Sequence, residues 1–314
     1  MMYLMVLGGF VLLFGGGEWL VRGAVGVARR LKISPLLIGL TIVAFCTSAP
    51  ELLVSLEAAT QGQPDISIGN VVGSNIANVL LILGAASVIW PITVDRHEIR
   101  RDLWVMLASV SLLAGLGMTG QIEGWHGGLM VGLLIAYVWY SYWTEKYRGA
   151  PSAGLHEEEA DEFEGVTQRL WLALVYLALG LGALIAGSKM LVSGAEEIAR
   201  SFGVSEAVIG LTMVALGTSL PELATALIAA ARKHSDVAVG AVVGSNIFNV
   251  LSILGITALV KPIPFSAQIA SFDVWIMIGA SALLVPLLMG RGRIGRLSGA
   301  LFLAGYAGYI LYVY

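Results

Sequence analysis

Ten stretches of this chain are apolar over close to the roughly 20 residues that a helix needs to cross a hydrocarbon core, and only short polar or charged joints separate them. They cover approximately residues 2–21, 36–60, 66–90, 103–119, 125–143, 170–190, 206–230, 237–260, 272–290 and 297–314. In lipid every backbone N–H and C=O has to be satisfied internally, so runs of this length predict an all-α membrane protein of ten transmembrane helices. Composition agrees: 57% of the residues are hydrophobic and 12% are charged, against about a quarter charged in soluble domains. The first run has no basic leader and no small-residue cleavage site, and reads as a retained helix rather than a signal peptide. Cys46 is the single cysteine, which excludes an internal disulfide and a cysteine zinc cluster.

The basic residues orient these spans. Arg29, Arg30 and Lys32 follow span one, Arg96, Arg100 and Arg101 span three, Lys146 and Arg148 span five, Arg232 and Lys233 span seven, and Arg291, Arg293 and Arg296 span nine. The alternate joints carry only Arg200 and Lys261. By the positive-inside rule the odd-numbered exits face the cytoplasm, and both termini are expected on the extracytoplasmic side of a cell (inner) membrane. Trp139, Tyr140, Tyr142, Trp143, Tyr309, Tyr312 and Tyr314 suit anchoring at the lipid–water boundary.

Shifting the sequence against itself by 171 positions aligns residues 15–90 with 186–261 without a gap. GLTIVAFCTSAPE at 39–51 and GLTMVALGTSLPE at 210–222 agree at nine of 13 positions; GNVVGSNIANVLLILG at 69–84 and GAVVGSNIFNVLSILG at 240–255 agree at 13 of 16. Each half, residues 1–143 and 170–314, holds five spans. That odd number makes equivalent helices run in opposite directions, giving two inverted five-helix repeats joined by a cytoplasmic linker over 144–169. The linker holds HEEEADEFE at 156–164, read as a solvated loop.

Pro50 and Pro221 lack a backbone donor and disfavour helix at the residue before them, so spans two and seven are expected to break near Thr47–Pro50 and Thr218–Pro221. Glu51 and Glu222 follow each break. An ionised carboxylate in mid-membrane costs at least about 2.5 kcal/mol, and neither motif holds a basic residue to offset it. Two carboxylates converging with Thr and Ser oxygens and freed carbonyls form an all-oxygen cage that suits Ca²⁺. Ser74 lies four residues before Asn78, and Ser245 four before Asn249, so each pair shares a helix face and can complete the cage without adding charge. Gly69, Gly73, Gly240 and Gly244 read as close-packing positions. Asn75 and Asn246, on another face, read as helix-to-helix contacts. Glu57 reads as a snorkelling end residue, and Glu18 and its repeat partner Lys189 as boundary residues.

CTSAPE and GSNIAN in the first half, with GTSLPE and GSNIFN in the second, resemble the alpha-repeats of the cation/calcium antiporter superfamily, in particular the prokaryotic sodium/calcium exchangers. That resemblance implies that Glu51 and Glu222 are calcium ligands. It implies that Thr47, Ser48, Thr218 and Ser219, with the carbonyls of Ala44 and Ala215, help to form calcium and sodium sites, and that Ser74, Asn78, Ser245 and Asn249 occupy sodium-site and central positions. Cys46 departs from the family's usual glycine, and Asn249 stands where some members have aspartate.

The expected activity is Na⁺/Ca²⁺ antiport by alternating access, with H⁺/Ca²⁺ antiport on the same scaffold as the alternative. Partners are the transported ions and membrane lipid; no cofactor, nucleic-acid partner or oligomeric state is indicated. An enzyme is not expected, because His97, His126, His156 and His234 lie in or beside joints and no buried Ser-His or paired-Asp arrangement appears. A channel would not need two equivalent carboxylates at the midplane.

Overall fold

The computed structural model describes residues 2–31, 35–148, 169–201, 218–265 and 269–313. Its long elements are helices: α1 (Met2–Leu31), α2 (35–47), α3 (Ala49–Thr60), α4 (Pro64–Ile89), α5 (Arg96–Gly117), α6 (Gly124–Arg148), α7 (Leu170–Ser201), α8 (Leu220–Ala231), α9 (Ser235–Val260), α10 (Ile269–Arg291) and α11 (Arg296–Val313). The helices α1, α4, α7, α9, α10 and α11 are long and apolar enough to cross a membrane, and the bent pair α2–α3 makes one more such span. The molecule is a helical membrane protein. The first arm of the seventh expected span, including Ala215, and most of the linker lie outside the described residues.

Helix ends differ from the hydropathy boundaries. α1 continues to Leu31 and α7 to Ser201, about ten residues beyond the apolar windows, because VRGAVGVARRL and LVSGAEEIARS contain no proline to stop them. α6 likewise runs on to Arg148, past the expected linker start at 144. Four short strands were not foreseen. β1 (Ile92–Thr93) pairs antiparallel with β4 (Arg293–Ile294), and β2 (Gln121–Ile122) with β3 (Ile263–Pro264). Each ladder joins one half to the other, Ile92 opposite Ile294 and Ile263 opposite Ile122. The same exchange of partners therefore occurs twice, at positions offset by 171 or 172.

α1 and α7 form the most extensive helix pair among the described elements. Gly9, Gly16 and Gly23 recur every seven residues, as do their repeat partners Gly180, Gly187 and Gly194. A Cβ on Gly16 would meet the Gly180 carbonyl at 2.9 Å, and one on Gly9 the Gly187 carbonyl at 2.9 Å. The two helices thus lie antiparallel, backbone against backbone, which only glycine permits. Gly16, Gly180 and Gly187 belong to this seam, whereas the neighbouring Gly15 and Gly182 meet nothing among the described residues and Gly17 touches α8. The pair has its own small apolar core and meets the remaining bundle mainly through α2 and α8. The main core joins α4, α5, α6, α9 and α10.

Candidate functional site

The break in α2–α3 falls at Ser48, with a 50° bend between the arms. Ser48 has φ −83° and ψ 5°, and Ser219, its repeat partner, has φ −87° and ψ 1°. Pro50 and Pro221 sit in the first turn of α3 and α8, where a missing N–H leaves no helical bond unmade. Glu51 and Glu222 follow in those same first turns, at the positive end of each helix dipole, which favours a carboxylate there. The break therefore relieves part of the burial cost that the sequence alone assigns to these glutamates.

Both glutamates are buried, Glu51 1% and Glu222 4% exposed, and their charges are close enough to act on one another. The other half's break faces each of them: Ser48 Oγ donates to Glu222 Oε1 at 3.1 Å, and Ser219 and Thr218 are the polar groups beside Glu51. Ser48 Oγ also lies 3.1 Å from Ser245 Oγ, and Ser219 Oγ 3.5 Å from Ser74 Oγ. The structure thus brings together Thr47, Ser48, Glu51, Ser74, Thr218, Ser219, Glu222 and Ser245, all buried.

Freed carbonyls need one correction. The Ala44 carbonyl is not bare: it accepts from Ser48 N at 3.0 Å and from Thr47 Oγ1 at 3.3 Å. The latter hydroxyl has a shorter bond to the Val43 carbonyl, at 3.0 Å, so it can leave Ala44 without losing a partner.

Beside the carboxylates lies a clasp of four asparagines. Asn78 Nδ2 donates to Asn246 Oδ1 and Asn249 Nδ2 to Asn75 Oδ1, both at 2.9 Å. Asn75 and Asn246 in turn donate to each other's backbone carbonyl at 3.3 and 3.5 Å. They also approach the sulfurs of Met277 and Met106, another pair 171 apart. Both amide groups of Asn75 and Asn246 are used in this way. The Asn78 and Asn249 nitrogens are used too, and their Oδ1 atoms are left over. A one-turn π-helix begins at each of these two asparagines, Asn78–Leu83 and Asn249–Leu254, a local widening often found at functional sites.

At this site four acceptor oxygens are consequently buried without a partner: Glu51 Oε2, Glu222 Oε2, Asn78 Oδ1 and Asn249 Oδ1. They form two pairs related by the repeat. Leaving such atoms unsatisfied costs about 1–3 kcal/mol each, more for a charged oxygen. No lysine or arginine is buried among the described residues. A donor set of carboxylate, carboxamide and hydroxyl oxygens suits a hard cation and offers nothing to a soft one.

Residues 1–143 and 172–314 match the family model described as sodium/calcium exchanger protein. The chain belongs to the sodium/calcium exchanger family. It is 42% identical to the putative antiporter CaxA of Alkalimonas amylolytica, over 97% of this chain and 96% of that protein. It is 31% identical to the sodium/calcium exchanger MaX1 of Methanosarcina acetivorans, over 99% and 98%. The fold superposes on the sodium–calcium exchanger NCX_Mj soaked with zero Na⁺ and Ca²⁺ with a TM-score of 0.85 and 32% identity, covering 100% of this chain and 99% of that one. Members of this exchanger family are membrane antiporters, not enzymes.

Two features escaped the sequence reading. Glu18 is more than a boundary residue: it accepts from Arg22 at 2.6 Å and from Arg232, beyond the end of α8, at 2.7 Å. Asp102 is fully buried and accepts from Tyr137 OH at 2.9 Å, as Asp273 does from Tyr309 OH at 2.9 Å. The sequence carries a signal for the second pair of sites, since RRDLW and SFDVW repeat at an offset of 171.

Proposed function

We propose that this exchanger moves Ca²⁺ against Na⁺, both ions competing for the oxygens of Glu51, Glu222, Asn78 and Asn249. The observation that carries the reading is the set of four buried acceptors without a donor, in two repeat-related pairs. One Ca²⁺ neutralises both carboxylates, with Thr47, Ser48, Ser74, Thr218, Ser219 and Ser245 hydroxyls and the Ala44 and Ala215 carbonyls available as further oxygens. Several Na⁺ spread over the same oxygens neutralise them equally, and the two sets exclude one another. Mutual exclusion produces antiport. Only a neutralised site crosses the low-dielectric barrier cheaply, so the empty carrier stalls.

The scaffold in this reading is ten spans in two inverted repeats in the inner membrane, termini outside and the 144–169 linker in the cytoplasm. Equivalent helices of opposite direction place a shared site near the midplane. α1 and α7, seamed together on glycine and touching the bundle mainly at α2 and α8, slide as one unit past the site and open it to one side at a time.

The neutral carboxamides favour Na⁺ over H⁺ as the coupling ion. An amide oxygen coordinates Na⁺ but does not take up a proton at physiological pH, so only the two glutamates serve the H⁺/Ca²⁺ alternative. Calcium flux into proteoliposomes under separately imposed gradients decides between them: an outward Na⁺ gradient should drive uphill Ca²⁺ uptake. Uptake that follows a pH gradient and ignores Na⁺ overturns sodium coupling, and the absence of uphill movement under either gradient overturns antiport. Asn249→Asp should shift the pH dependence or the cation preference, because it adds a titratable oxygen at the site; unchanged profiles would remove Asn249 from the coordination sphere.

A further inference from the structure

We propose that the crevice between α10 and α11 binds an anionic phospholipid, with an acyl chain laid in the crevice and the phosphate held by the arginines of the joint between these helices. The cavity has a volume of about 700 Å³. It exists because side chains are missing: a Cβ on Gly279 or Gly308 would meet nothing among the described residues, and one on Gly305 only Leu80 Cδ1 at 4.0 Å. Leu80 and Phe302, both buried, form its floor. Along α10 the lining runs from Phe272 to Leu287, about 22 Å at the helical rise, which exceeds one leaflet of a hydrocarbon core about 30 Å thick. A slot this long, apolar and open on its lipid side suits an extended chain better than a compact solute.

Its two ends differ. At one, Phe272 packs on Tyr312 with ring centroids 4.5 Å apart, and Tyr309 has given its hydroxyl to Asp273. At the other, α10 ends on Arg291, β4 carries Arg293 and α11 begins at Arg296. Arg96 joins them, its side chain lying against Gly292. All four arginines are exposed, and none of them forms an ion pair among the described residues. The acids beside Arg96 are Asp95, whose carboxylate caps the His97 N–H, and Glu98. A phosphate with its chain in the slot would lie among these guanidinium groups, which bind it by charge and by paired donors.

The first half is the control built into the molecule. The positions of Gly279, Gly305 and Gly308 are occupied there by Ala108, Leu133 and Ala136. The corresponding joint, residues 118–123, has no basic residue and one acid, Glu123. Charge bias alone accounts for arginines on one side of the membrane, but not for the glycine-floored slot that begins next to them.

The test is native mass spectrometry of the delipidated full chain titrated with phosphatidylglycerol or phosphatidylcholine. Phosphatidylglycerol should be retained at about tenfold lower concentration, because the quaternary ammonium of phosphatidylcholine offsets the phosphate charge that the arginines bind. Replacing Arg291, Arg293 and Arg296 by Gln should remove that preference, and Gly305→Leu with Gly308→Ala should weaken both lipids. Equal retention of the two lipids by the parent, or parent-like retention by the filled-slot variant, overturns the site and leaves only annular lipid. Trp275, which lines the slot, gives a second readout independent of those variants. Brominated-chain phosphatidylglycerol should quench the parent's tryptophan fluorescence saturably and lose that component in Trp275→Phe. Quenching that grows only in proportion to bulk lipid counts against a site.

Discussion

Glu51 and Glu222 sit on copies of one motif, yet the helices that carry them are held by different means. In the first half Asn70 donates to the Glu51 carbonyl at 3.2 Å and to Ser55 Oγ at 2.9 Å, and Ser55 reaches the Ser67 carbonyl at 3.4 Å, so α3 is tied to α4 by a polar ladder. In the second half those three residues are Ala241, Ala226 and Ala238, all buried, and α8 packs on α9 through small apolar surfaces. Thr225 there satisfies itself within α8, on the Pro221 carbonyl at 2.8 Å. Under the proposed exchange the oxygens that face the ion are identical because both halves serve one charge. The supports behind them answer only to packing and have diverged.

The sharpest way to break this comparison is to remove either inner charge. Glu51→Gln and Glu222→Gln should each lower calcium transport by about 100-fold or more, because each removes one charged ligand worth roughly 3 kcal/mol. Calcium uptake into proteoliposomes reads the effect, with thermal unfolding as the control for folding. Near-normal flux in one variant would show that the halves are unequal at the ion as well as behind it.

The clasp comes next in size. Asn75→Ala or Asn246→Ala frees the Asn249 or Asn78 amide to rotate, so each should weaken apparent calcium affinity about tenfold, the worth of one or two buried hydrogen bonds. The clasp is symmetric, so the two losses should match, and the double variant should fall short of their product because the groups share partners. A smaller effect belongs to the outer ladder: Asn70→Ala should lower stability by about 1 kcal/mol, a shift of a few degrees in thermal unfolding, with calcium affinity changed by about two- to fivefold. If Asn70→Ala matched the clasp variants in affinity, the polar ladder would be part of the coordination machinery rather than its support.

These differences also mark how far the sequence could be read. The apolar runs, the duplication and the paired Pro-Glu breaks are local patterns, and the helices, the bend at Ser48 and the convergence on Glu51 and Glu222 follow from them. The asparagine clasp pairs residues 168 and 174 positions apart, and no local pattern tells which amide hydrogen of Asn75 or Asn246 meets which oxygen. The turns of π-helix at Asn78 and Asn249 leave no trace in composition, and the cross-half strands are two residues each. The glycine seam of α1 and α7 was legible as a period of seven, but clusters such as Gly15–Gly17 obscured it. The bridge of Glu18 could not be read locally, because its partner, Arg232, lies 214 positions away.

Glu18 also offers the finest test, because its bridge exists in one half only. Its repeat partner is Lys189, and the partners of Arg22 and Arg232 are Ser193 and Gln61. The bridge runs from α1 to the end of α8, that is, in the proposed motion, from the pair that slides to the bundle that stays. Sliding that carries α1 past α8 must break it, so it stabilises one of the two access states over the other. Glu18 and Arg232 are 20% and 52% exposed, which limits the bias to about 0.2–1 kcal/mol. Glu18→Gln should therefore leave maximal exchange nearly unchanged and alter the ratio of half-saturating calcium on the two membrane faces by about 1.4- to fivefold. The parent's ratio should drift toward the variant's as salt screens the bridge. A ratio indifferent to both the substitution and salt would mean that α1 and the end of α8 move together, and that the moving unit is larger than the glycine-seamed pair.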